Sequence, residues 1–67
     1  MIEHSHQMSF SHAELVALYV ALSRRESELD PLQTALLERV ASELYGELSV
    51  SEMEGIETYY GALYSEP

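Results

Sequence analysis

Leu15-Val16-Ala17-Leu18-Tyr19-Val20-Ala21-Leu22 is an unbroken run of eight apolar residues inside an acidic chain of 67 residues. The residues before it form a helix start. Ser11 suits an N-cap, and Glu14, three positions on, completes a capping box. Phe10 and Leu15 have the spacing of a hydrophobic staple. Alanines and leucines favour a helix over a strand, and eight residues fall far short of the ~20 a membrane span needs. At about 100° per residue, Leu15, Leu18, Tyr19 and Leu22 share one face and Val16 and Val20 a flank. Ala13, Ala17 and Ala21 fill much of the remainder, so this helix has no clean polar side before Arg24. A helix that is apolar nearly all round is buried on more than one side.

Working outward, Leu29-Asp30-Pro31-Leu32-Gln33 marks the next boundary. Asp30 can cap, Pro31 suits the first helical position, and Gln33 occupies the capping-box position. A turn this short makes the flanking helices antiparallel neighbours. In the second helix Leu36, Leu37, Val40, Ala41, Leu44 and Leu48 form one stripe with Tyr45 at its edge. Ser49 and Glu52 then repeat the box, with Leu48 and Met53 at staple spacing. Ser51 with Glu54 is an alternative cap two residues later. Met53, Ile56, Tyr60 and Leu63 line the third helix, which Gly55 and Gly61 weaken by about 1 kcal/mol each against alanine.

The expected architecture is all-α: a three-helix bundle, or a helical hairpin plus a short third helix, with helices over about 12–28, 31–47 and 50–64. Residues 1–8 read as a flexible tail and 9–67 as a single helical domain. A domain this small buries about 60% of the surface its unfolded chain exposes, so its margin is thin. It contains no cysteine, which removes disulfides and thiolate metal sites as supports. Homodimerisation is the remaining support, and the apolar circumference of the first helix places the expected seam at Ala13, Val16, Ala17 and Val20.

Twelve Asp and Glu stand against three Arg and no Lys, giving a formal charge of −9. That balance disfavours direct binding of nucleic acid or of anionic lipid. No basic segment leads into a long apolar core near the start, so no secretory signal is expected, and the lack of cysteine fits a cytoplasmic protein. His4, His6 and His12, with Glu3 nearby, bear a superficial likeness to a metal site. A loose tail preorganises no coordination geometry, and the expectation is no metal and no cofactor. No nucleophile elbow, phosphate loop or zinc spacing is present, so no catalytic residue is expected and the chain reads as non-enzymatic.

What remains is a protein-interaction module, an adaptor or a regulator or inhibitor of a protein target. The acidic surface can serve solubility alone, or steer a basic protein partner. The expected partner-binding residues are Glu43, Glu47, Glu54, Glu57, Tyr59 and Tyr64, with glutamates steering and tyrosines anchoring. The alternative is a DNA mimic that occupies a nucleic-acid-binding protein. Small acidic proteins of phages and mobile elements work in that way, and the chain resembles them in composition, without a family motif. Glu43 and Glu47 lie one helical turn apart, and Glu54 and Glu57 nearly so, which permits such a role.

Overall fold

The computed structural model describes residues 6–65. Every regular element among them is helical: α1 (His12–Ser23), a 3-10 turn (Glu26–Glu28), α2 (Pro31–Tyr45), α3 (Val50–Glu54) and α4 (Ile56–Tyr64). The three capping boxes set the starts. The Ser11 hydroxyl accepts from the Glu14 N–H at 3.1 Å while the Glu14 carboxylate accepts from the Ser11 N–H at 2.9 Å. Asp30 and Gln33 do the same for α2, with Pro31 in its first turn. Ser49 and Glu52 do so for α3, so the alternative start at Ser51 is not used.

The helix ends differ from expectation. α1 stops at Ser23 and not near 28, with Arg24 as its C-cap. The Ser23 hydroxyl donates to the Val20 carbonyl at 3.2 Å, and a further turn would have placed Glu26 and Glu28 at the negative end of the helix dipole. Those glutamates sit instead in the short 3-10 turn. α2 ends at Tyr45, where Gly46 caps it. The expected third helix is divided at Gly55, whose φ of −105° and ψ of 36° leave the helical region between α3 and α4.

α1 is the central element, packed against α2 on one side and α4 on another, while α3 bridges α2 and α4. The core is Val16, Val20, Val40, Leu44, Leu48, Met53 and Ile56. Leu15, Leu18, Tyr19, Tyr59, Tyr60 and Leu63 close around it, half-buried. This corrects the expected use of α1. Val16 and Val20 are 0% and 1% exposed and form the middle of the chain's own core, so they are not a free flank that a second copy could cover. The face containing Leu15, Leu18, Tyr19 and Leu22 is the half-buried one. The apolar circumference of α1 is covered from two sides within one chain, which explains why the helix lacks a polar side.

Candidate functional site

The antiparallel α1–α2 hairpin brings the start of α1 beside the end of α2, and α4 packs along the same helix. One polar cluster forms where they meet. The His12 Nδ1 lies 2.8 Å from a Glu47 carboxylate oxygen, and its Nε2 lies 2.6 Å from the Tyr59 hydroxyl. The His12 and Tyr59 rings meet edge-on at 90° with centroids 5.8 Å apart. A carboxylate only accepts, so Nδ1–H donates to Glu47; in the neutral imidazole Nε2 then accepts from the Tyr59 O–H. The cluster ties together three segments far apart in sequence.

At the other end of α1, Arg24 forks onto Glu57 of α4. Nη2 donates to one carboxylate oxygen at 2.7 Å, and Nε lies 3.1–3.2 Å from both. The guanidinium hydrogen bonds hold the Glu57 carboxyl below its ordinary value, and Glu57 raises Arg24 in return. Both side chains are more than half exposed, so the pair fixes geometry more than it adds stability. Burial is the first cause that raises the Tyr19 phenol, and Tyr45 and Glu26 add to it.

A third feature is an open apolar groove. Met8, Phe10, Leu15, Leu18, Leu36 and Val40 line it, with Arg39, Glu43 and Glu47 among its polar residues. Leu36 and Arg39 also border a second depression next to Leu32. Leu32 is 84% exposed and Leu36 41%, so α2 carries an outward apolar ridge besides its buried stripe. The expected staple partner Phe10 is one of the exposed groove residues and does not enter the core.

Three of the six expected partner-binding residues are thus engaged inside the chain: Glu47 and Tyr59 by His12, and Glu57 by Arg24. Glu43 and Glu54 are exposed and make no ion pair or side-chain hydrogen bond among the described residues, and Tyr64 is 70% exposed with its ring against Tyr60. Of the expected seam, Ala13 is exposed, Ala17 is half-buried, and Val16 and Val20 are in the core. His4 and Glu3 lie outside the described residues. Among the described residues no group of three His, Asp or Glu is placed to hold a metal ion, and no helix is long and apolar enough to cross a membrane.

The His12 cluster escaped the sequence reading because its members are 35 and 47 residues apart and share no local pattern. One signal was available. His12 opens α1 and Glu47 follows α2, and an antiparallel hairpin places those ends together. Comparison with family models, with curated proteins and with solved structures found no match.

Proposed function

We propose that this chain is a non-enzymatic protein-interaction module, an adaptor or a regulator or inhibitor of a protein target, that acts as a homodimer in the cytoplasm. The observation that carries this reading is the pairing of two unlike surfaces on so small a domain. One is the exposed apolar groove along α1 and α2. The other is the acidic, tyrosine-bearing side of α3 and α4, where Tyr64 is 70% exposed and Glu54 is exposed with no ion pair among the described residues. An apolar face of this kind on a thin-margined domain supports contact with another chain. Amphipathic tyrosine beside carboxylate supports a target reached through electrostatic steering.

The formal charge of −9 also supports a second reading, that of a DNA mimic for a nucleic-acid-binding protein. Against it, Glu47 and Glu57 are engaged by His12 and Arg24, which interrupts the line of free carboxylates.

The test is capture of partners from host lysate on immobilised wild-type protein and on Tyr64→Ala and Glu54→Gln, with identification by mass spectrometry. Association with the purified partner is then timed against salt. Adaptor binding should weaken with Tyr64→Ala and slow as salt screens the steering field beyond about 8 Å. Displacement of the protein by added DNA would favour the mimic. A partner indifferent to both substitutions and to salt would leave the acidic side a solubilising surface only.

A further inference from the structure

The geometry points to the Leu32–Leu36 ridge of α2, together with Arg39 and Glu43, as the seam of an antiparallel two-fold dimer with a second copy of this chain. This rests on the homodimeric reading above and moves the seam from α1 to α2.

Arg39 is the decisive residue. The chain has three arginines against twelve acids. Arg24 is forked onto Glu57, and the exposed Arg25 lies 3.5 Å from Glu28. Among the described residues Arg39 makes no ion pair and no side-chain hydrogen bond. It stands on the exposed apolar ridge and borders both depressions there. An arginine in an apolar surface is a frequent interface anchor, and it calls for a carboxylate from whatever covers the ridge. The occupant must therefore bring apolar side chains and an acid spaced along one helix.

A second copy brings both. Glu43 lies one helical turn from Arg39, is exposed, and has no ion pair among the described residues. Two α2 helices set antiparallel about an axis between residues 39 and 43 place each Arg39 beside the other copy's Glu43, twice by symmetry. The Leu32–Leu36 ridges then flank the axis and bury against the partner's groove. A stable interface needs about 800 Å² per partner, roughly a seventh of the 5495 Å² that this chain exposes. Neither charged residue is part of the core, so the contact can form or be broken with the monomer intact.

Charge exchange tests the seam. Arg39→Glu takes the formal charge of each chain from −9 to −11, Glu43→Arg takes it from −9 to −7, and the double variant returns it to −9. Sedimentation equilibrium of the full chain at micromolar concentration, with circular dichroism as a check on folding, reads the dissociation constant. A local pairing predicts that both single variants weaken the dimer about tenfold or more, since each reverses two pairs. It predicts that the double variant recovers to within about threefold of wild type. Leu36→Asp should leave a folded monomer. If long-range repulsion governed association, Glu43→Arg would tighten the dimer, and that result would overturn the seam. A wild-type dimer indifferent to Leu36→Asp would overturn the seam while leaving homodimerisation in place. A folded wild-type monomer at all concentrations would overturn both, and a foreign protein on this ridge in place of a second copy would overturn the seam.

Discussion

Val20→Ala separates the two uses of α1. Val20 is 1% exposed and sits in the core among Val16, Leu44 and Ile56. The substitution removes two buried carbons, about 1.6 kcal/mol at ~0.8 kcal/mol per carbon, and leaves a small cavity that brings the cost to about 2–3 kcal/mol. A chain of this length has about 3–10 kcal/mol of stability in all, so the loss is a large share of it. The melting temperature should fall by roughly 10–20 °C, at 4–8 °C per kcal/mol for a domain of this size. The assay is urea unfolding followed by circular dichroism at two protein concentrations about tenfold apart. A core residue predicts the same free-energy loss at both, even where association shifts both curves. A seam residue predicts a loss that grows with concentration and vanishes for the isolated monomer. A monomer destabilised by less than about 0.5 kcal/mol would refute the placement of Val20 in the core.

Three further outcomes are expected. Gly61 lies inside α4, and a Cβ added there meets nothing within 4 Å, so Gly61→Ala should stabilise the protein by about 0.5–1 kcal/mol in thermal melts. Ser11→Ala removes one bond of the capping box and should cost about 1 kcal/mol, read by the same melts. Glu57 has a folded value below its ordinary one, so its contribution is present above the ordinary value of about 4.3 and is lost as pH falls through the lowered value. Glu57→Gln should therefore flatten that part of the acid limb in pH-dependent unfolding, and high salt should shrink the difference from wild type.

The elements that came through from sequence are those with local causes. Each capping box lies within four consecutive residues, and Ser11–Glu14, Asp30–Gln33 and Ser49–Glu52 all form as the spacing predicts. Most of the inward stripe was legible because polar residues mark its other side: Leu37, Val40, Leu44 and Leu48 are buried while Glu38 and Glu43 are exposed, but Leu36, read into the same stripe, is 41% exposed and faces outward. α1 offers no such contrast. Its apolar residues surround the axis, and nothing in the run Leu15–Leu22 tells which side two neighbours will claim. Two neighbours claimed the valines, and the larger leucines closed the edges. The polar cluster was illegible for another reason. It is made by packing: His12 opens α1 as the cap predicts, but nothing local to it points to Glu47 or Tyr59.

The proposed dimer would link the charge of the chain to its small core. Pairing of the native state with a second copy stabilises it by mass action, by about 2.7 kcal/mol when the partner is present at a hundred times its dissociation constant. That is close to the whole loss expected from Val20→Ala. The core supplies a folded monomer, and the α2 ridge can add a concentration-dependent margin of similar size. Leu36→Asp should accordingly remove the dependence of stability on concentration while sparing the monomer, because Leu36 is outside the core cluster. The two substitutions act on different terms of one free energy, and their effects on the isolated monomer should add, because Leu36 is outside the core cluster that holds Val20. In the proposed dimer a chain carrying nine net negative charges would associate against its own repulsion, so the pairs Arg24–Glu57, Arg25–Glu28 and His12–Glu47 would have a second consequence. They pair two of the three arginines within the chain, and among the described residues Arg39 is the arginine that would be able to offset that repulsion at a seam.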